Sequence, residues 1–365
     1  MTQPVRFHTI DILRTGAIFL MVIVHFSENL SGYIWTFAGM GAPVFAFLSG
    51  VSYCLWLLKQ QRAGKSEEQI SKTTIRRGLF LIALGFAFNV FVWLPEDVFN
   101  WDVLTLIGVA LLLLNVARGV PSAVTILVCV IVFLLSPILR TLADYPAYWQ
   151  NGYYDYDPTP TDVFTGFFSN GYFPIFPWIL FPLAGFVSGS WVFSKSSPAL
   201  PSVAPLAWIG GGLVTVSVVL MALRGYATEP LTNYFTFGWT MFPPSGEYIT
   251  RTLGLTMLLF AAGQQWLDRQ PQRSAWFARW SFFETFSKHS LSIYLLHHVV
   301  HLWPLWIYGI ATGNEPTYFW RIAMPVSLSL PLSLLCVLGC YVLFLGLDRW
   351  KIPGVEGWMR WLCDD

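Results

Sequence analysis

Charge is what this 365-residue chain has least of. Only 11% of its residues are Asp, Glu, Lys or Arg, where an ordinary soluble domain carries about 25%. With 55% of the residues apolar, neither one globular core nor two would hide that surface from water, so lipid is the expected solvent. The net charge of +1 lacks the basic field that nucleic-acid phosphates require, which excludes a nucleic-acid partner. The five cysteines show no paired spacing. Cys54, Cys129, Cys336 and Cys340 lie inside apolar runs, where cysteine acts as a small hydrophobe, so neither a disulfide framework nor a zinc motif is expected. No small-residue cleavage site follows the first apolar run, and that span is expected to stay in the mature protein. Internal repeats and low-complexity tracts are also missing, which disfavours a repeat-built transporter.

What is present are long apolar runs and aromatic rings. Eighteen Trp, fifteen Tyr and thirty Phe suit a protein anchored at two membrane interfaces. A crossing helix needs about 20 mostly apolar residues. Candidate spans are 12–30, 34–58, 78–94, 103–117, 121–139, 172–193, 203–223, 251–267, 291–310 and 322–347. With the N-terminus inside, all but four of the twenty-one Lys and Arg fall on the inner side. The exceptions are Arg140, Arg224, Arg251 and Arg321. That bias follows the positive-inside rule. The expected fold is therefore an all-α integral membrane protein, a single polytopic domain over 1–365. It is a bundle of about ten transmembrane helices with both termini cytoplasmic.

The first span carries titratable groups that cost roughly 2.5–3.5 kcal/mol each at bilayer depth on insertion scales. In "DILRTGAIFLMVIVHF", Arg14 and His25 are eleven residues apart: three turns plus about 20°, hence one helix face, roughly 16 Å apart along the axis. Glu28 lies one turn beyond His25, in position to orient its imidazole, and Asp11 lies one turn before Arg14. A cross-membrane stripe of acid, cation, imidazole and acid results. The bland alternative has Arg14 snorkelling to inner headgroups and His25 as an ordinary interhelical hydrogen bonder. Near the C-terminal end, "HSLSIYLLHHVVH" places Tyr294, His297 and His301 on one face, with His298 pointing elsewhere. His297 and His301 have metal-ligand spacing, but no acidic third ligand is evident, so no metal is expected.

Two long outer segments, 141–171 and 225–250, combine Tyr, Trp, Phe and acids with turn-forming Pro and Gly. Flat rings and carboxylates suit a carbohydrate. Interfacial aromatics beside solvated acids would look the same.

Several of these stretches resemble, in order along the chain, the membrane acyltransferases of the acyltransferase-3 and heparan-glucosaminide N-acetyltransferase superfamily. "RFHTIDILRTGAIFLMVIVHF" is similar to the superfamily's first helix, with Thr15 displacing the glycine of its "D-x-x-R-G" pattern to Gly16. The Arg14–His25 spacing matches the acyltransferase-3 branch. "GAPVFAFLSGVSYCLWL", "RRGLFLIALGF" at 76–86 and "YFPIFPWILFPLAGFVSG" at 172–189 resemble the second, third and later helices of the heparan-acetyltransferase-like branch. "SKHSLSIYLLHHVVH" at 287–301 is similar to the shared "S-L-x-I-Y-L-x-H" helix.

The resemblance implies transfer of an acyl group, acetyl in the first instance, from cytoplasmic acyl-CoA to a sugar hydroxyl or amine at the outer side of the membrane. The partners are then the lipid bilayer, acetyl-CoA and a carbohydrate or glycoconjugate acceptor, and a homo-oligomer stays open. Arg76, Arg77 and Arg14 would meet the donor's phosphates through forked guanidinium donors; ordinary positive-inside anchoring is their alternative. His25 would act as general base, or be acylated itself. Tyr294, His297 or Arg14 would serve the oxyanion. In the motif His297, not His298, takes the histidine position. The competing readings are a proton-coupled secondary transporter using Arg14, His25 and Glu28, and a membrane scaffold without chemistry. A short chain without a signal or a large luminal domain points to a bacterial inner membrane.

Overall fold

The computed structural model of the protein describes residues 6–94, 97–150, 152–193, 202–228 and 235–364. In chain order its helices are α1 (His8–Ser31), α2 (Gly41–Arg62), α3 (Glu67–Val92), α4 (Val103–Ala117), α5 (Ser122–Leu142), α6 (Pro160–Thr165), α7 (Ile175–Trp178), α8 (Leu180–Phe193) and α9 (Ala204–Leu223). They continue as α10 (Gly246–Gly263), α11 (Pro271–Phe277), α12 (Ser281–Lys288), α13 (Ser290–Ala311), α14 (Val326–Arg349) and α15 (Val355–Cys363). The one sheet among the described residues is a two-stranded ribbon pairing Trp149 with Tyr154 and Gln150 with Tyr153. Asn151, and residues 229–234 of the second aromatic segment, lie outside the described residues.

Seven helical stretches among the described residues are long and apolar enough to cross a membrane: α1, α2, α3, α5, Pro160–Phe193, α9 and α14. The chain is a multi-pass, all-α membrane protein. Three expected spans fall outside that set. The 15 residues of α4 are short, Glu247 and Arg251 interrupt α10, and three histidines interrupt α13. Lipid-facing sides are evident where helices turn large apolar groups outward, as with Leu127, Val130 and Leu134 on α5 and Val216 and Val218 on α9.

Two boundaries differ from the apolar runs. The second helix begins at Gly41 rather than 34; Trp35, in the turn before it, donates from Nε1 to Ser27 Oγ at 2.9 Å. The third begins at Glu67, eleven residues ahead of its apolar run. There Ser66 and Gln69 form a reciprocal capping box that satisfies two orphan N–H groups.

The chain forms two compact units, one joining Met1–Ala42 to Gly263–Asp364, the other Pro43–Ala262. In the first, α1 packs against α12, α13 and α14. Its C-terminal end is fixed by Gly32, left-handed at φ 66°, whose N–H reaches Glu28 O while Tyr33 N–H reaches Ser27 O. A side chain at Gly32 would also collide with the Arg321 carbonyl. Arg321 and Met324 then donate backbone N–H bonds to Asn29 O and Leu30 O, at 2.7 and 3.1 Å, pinning the 321–324 segment to the end of α1.

Glycines let backbones meet in the second unit. A Cβ on Gly108 would lie 2.6 Å from Gly78 O, so α3 and α4 cross backbone to backbone. Gly210 and Gly254 do the same for α9 and α10, at 2.9 and 2.7 Å. Lipid supplies no hydrophobic drive between helices, and close approach through small residues replaces it. Gly108→Leu is therefore expected to destabilise the protein by about 1–3 kcal/mol through overpacking, read as a lower melting temperature in detergent. Gly211→Leu, where a side chain meets nothing within 4 Å, should melt like the parent. Equal melting of both variants would refute the α3–α4 contact as a determinant of stability.

Candidate active site

Four imidazoles converge where α1 meets α13. His25 on α1 is half-buried, and His297, His298 and His301 on α13 are buried. His25 Nδ1 lies 2.9 Å from His297 Nε2, with the two rings nearly parallel at 10° and 5.3 Å between centroids. His298 is 4.6 Å from His25, centroid to centroid. Asn29, one turn after His25, meets His301 Nε2 with its Nδ2 at 2.8 Å.

The hydrogen positions follow from the acceptors. On α13 each histidine turns Nδ1 to the carbonyl four residues back: His297 to Ile293 at 3.1 Å, His298 to Tyr294 at 3.2 Å, His301 to His297 at 2.6 Å. A carbonyl only accepts, so all three Nδ1 atoms carry hydrogen, and in the neutral ring each Nε2 is then a lone pair. His301 Nε2 accepts from the Asn29 amide. His297 Nε2 must likewise accept, which makes His25 Nδ1 the donor. His25 consequently presents its Nε2 as a lone pair. A neutral imidazole fixed in one tautomer by its second nitrogen is the arrangement a base or nucleophile uses.

His25, His297 and His298 also offer three nitrogens within 4.8 Å of one another, a set able to hold a metal ion. Two ligands on one zinc ion stand about 3.4 Å apart, given Zn–N near 2.0–2.1 Å and tetrahedral angles. The His25–His297 separation of 2.9 Å is instead a hydrogen-bond length. Both rings would have to part to share a metal.

The other candidates are distributed differently from expectation. Glu28 does not orient His25. Its Oε1 accepts from Arg321 Nη2 at 2.8 Å, because the third residue after His25 projects toward the segment pinned at the helix end. His298 does not point away: α1 lies across the ridge between neighbouring positions on α13, so both His297 and His298 reach His25. Arg14 donates from Nη1 to Ser287 Oγ and O at 3.0 and 3.2 Å. Asp11 accepts from Arg6 Nε at 2.6 Å, and Arg6 also pairs with Glu284 at 2.6 Å. Tyr294 is buried, edge-on to His297 at 5.8 Å. Both nitrogens of His297 are engaged, so it has no N–H left for an oxyanion. Arg76 and Arg77 lie on α3 in the second unit, Arg76 exposed and Arg77 over the Trp56 ring at 5.0 Å. Asn29 and Ser287 are contributors that the sequence reading missed. Asn29 carried a usable signal, standing four residues after His25 and so on its face.

A helical membrane protein with an oriented imidazole at a buried helix crossing is thereby defined. The catalytic-domain model of heparan-alpha-glucosaminide N-acetyltransferase matches residues 6–213, more than half of the chain, and the protein belongs to that family of membrane acetyltransferases. The match takes in α1 and His25 and ends within α9, before α13. No curated protein matches the chain.

The Glu28–Arg321 pair, partly exposed on both sides, is expected to be a structural tie. Glu28→Gln should lower stability by up to about 1 kcal/mol. A double-mutant cycle with Arg321→Gln measures the coupling, which vanishes if the pair is incidental.

Proposed function

We propose that the protein is a ten-span acetyltransferase, N- and C-termini cytoplasmic, in a bacterial inner membrane, and that both compact units belong to one catalytic domain. It moves an acetyl group from cytoplasmic acetyl-CoA to a sugar amine or hydroxyl at the outer side. Family membership supports the transfer chemistry. The single observation supporting the site is the His25 Nδ1–His297 Nε2 bond, which leaves His25 Nε2 as the base.

In that role Nε2 removes the acceptor's proton as its nitrogen or oxygen attacks the thioester carbonyl. The developing imidazolium is stabilised at Nδ1–H by the His297 lone pair. Collapse of the tetrahedral intermediate breaks the C–S bond, and CoA thiolate leaves to take up a proton. Tyr294 is the candidate donor for the oxyanion, whereas Arg14, roughly 16 Å from His25 along α1 and bonded to Ser287, lies too far from the reacting carbonyl to share that role. Arg76 and Arg77 bind the donor's phosphates, as forked guanidinium groups do. Glu28 acts through Arg321 on the outer end of α1 and not on the imidazole.

Acetyl-CoA consumption by the purified protein against amino sugars and glycans tests this reading. His25→Ala should lower turnover by about 10²–10⁴-fold. His297→Leu removes the acceptor for His25 Nδ1–H and should cost about tenfold or more in kcat, whereas His297→Gln, whose amide oxygen accepts that hydrogen, should recover part of it. A His25→Ala enzyme as fast as the parent would remove His25 from the chemistry. Equal loss in His297→Leu and His297→Gln would remove the tautomer argument.

A further inference from the structure

The sequence of α15, "VEGWMRWLC", sets out two faces at helical spacing. Glu356 and Cys363 fall on one, and Trp358, Trp361 and Leu362 on the other. The first face is turned into the protein. Cys363 is buried, and Glu356 caps a neighbouring helix. Its Oε1 accepts from the N–H groups of Leu291 and Ser292 at 2.7 and 2.9 Å, and its Oε2 from the Ser292 hydroxyl at 2.6 Å. These residues open α13, so one carboxylate satisfies two of that helix's orphan donors and meets the positive end of its dipole. Val355 N–H in turn donates to Ser292 Oγ at 2.8 Å. The approach is close: a Cβ at Gly354 would stand 2.7 Å from Ser292 Oγ and 3.1 Å from His289 Nδ1.

The second face is turned outward. Trp358, Trp361 and Leu362 are 55%, 67% and 58% exposed, and the two indoles pack edge to face at 5.7 Å as one patch. Trp350 and Ile352, just before the helix, are exposed as well. So much apolar surface on one short segment marks an interaction site. The surroundings identify its occupant as lipid. Helix α14, which α15 follows after residues 350–354, turns Leu335, Leu338 and Val342 outward as a membrane span does. The end of α14 lies where charges meet water: Asp348 accepts from Lys288 Nζ at 2.6 Å, the pair being 31% and 42% exposed. Tryptophan concentrates at that level of a bilayer. Arg349, Lys351 and Arg360 are exposed on the same segment. Such cations attract anionic headgroups and would repel one another across a contact between two copies. We propose that α15 rests on an anionic lipid surface, with Trp358, Trp361 and Leu362 among the headgroups and Glu356 tying that contact to the start of α13.

Attachment of α15 to lipid stands or falls independently of the acetyl transfer proposed above. Hydrogen exchange read by mass spectrometry tests it on the full chain, in nanodiscs holding one copy each. Discs of phosphatidylcholine are compared with discs of equal parts phosphatidylcholine and phosphatidylglycerol. Amides of 355–363 should exchange about tenfold more slowly in the anionic discs, and Lys351→Gln with Arg360→Gln should remove that difference. Trp358→Ser with Trp361→Ser should speed exchange of α15 about tenfold in anionic discs and that of the first turn of α13 severalfold. Both tryptophans are exposed, so this variant should melt like the parent in detergent. Glu356→Ala should release the first turn of α13 while α15 keeps its dependence on lipid charge. Exchange of α15 that ignores lipid charge, or ignores the loss of the two tryptophans, overturns the proposal. Protection that appears only in discs holding two copies also overturns it, since the face would then be a dimer contact. An unchanged first turn of α13 in the tryptophan variant overturns the tie through Glu356.

Discussion

Proton accounting at the α1–α13 crossing constrains everything around it. Each neutral imidazole has one hydrogen to give and one lone pair to offer. Helix α13 settles three of the four rings by itself, since its own carbonyls at 293, 294 and 297 take the Nδ1 hydrogens. The orientation of His25 is then imposed from across the interface. Had His297 been the other tautomer, its Nδ1 lone pair would face the Ile293 carbonyl, a repulsive contact in a buried place where an unmet polar group costs about 1–3 kcal/mol. One backbone carbonyl thus selects which nitrogen of a side chain on another helix keeps its lone pair.

That selection requires α1 to be held in register along its length. At one end Arg14 binds Ser287, and Thr9 N–H faces the Asp268 carboxylate at 3.3 Å. At the other, Gly32, Glu28 and the Asn29 and Leu30 carbonyls clasp the 321–324 segment. These ties are polar, as expected where lipid gives no hydrophobic preference for helix contact and hydrogen bonds fix register instead. The charges of the first span consequently divide into two kinds. Arg14 and Glu28 hold the helix, and His25 is the group whose remaining atom is unspoken for.

Much of this was legible in the sequence, because its periodicities are rigid. Arg14 and His25 do both face the segment following 280, as a separation of eleven residues requires. His297 does meet α1, as the face shared with Tyr294 and His301 suggests. Partners supplied by distant segments were not legible. Nothing local to Glu28 names Arg321, 293 residues away, and an acid one turn from an imidazole is the more obvious pairing on an isolated helix. The role of His298 was hidden for a related reason: a 100° step separates it from His297, and only the position of α1 over the ridge brings both within reach. Helix starts were obscured where apolarity and helicity differ. The Ser66–Gln69 capping box marks a start that a hydropathy criterion overlooks, because the first turns of α3 project into water.

The extent of the family match sharpens the chemical argument. The matched residues 6–213 contain His25 but not the helix that fixes its tautomer. On α1 alone, His25 would be an imidazole free to present either nitrogen, with part of its population misdirected for the proposed role and its cationic form unsupported. The residues beyond the match supply the His297 lone pair that removes both deficiencies. If His25 is the base as proposed, substitutions on α13 should act on turnover more than on acetyl-CoA binding, since they would change which atom of His25 accepts the proton. The expected signature is a fall in kcat for His297→Leu with the KM for acetyl-CoA little changed. A matching rise in KM with kcat preserved would instead place α13 in donor binding.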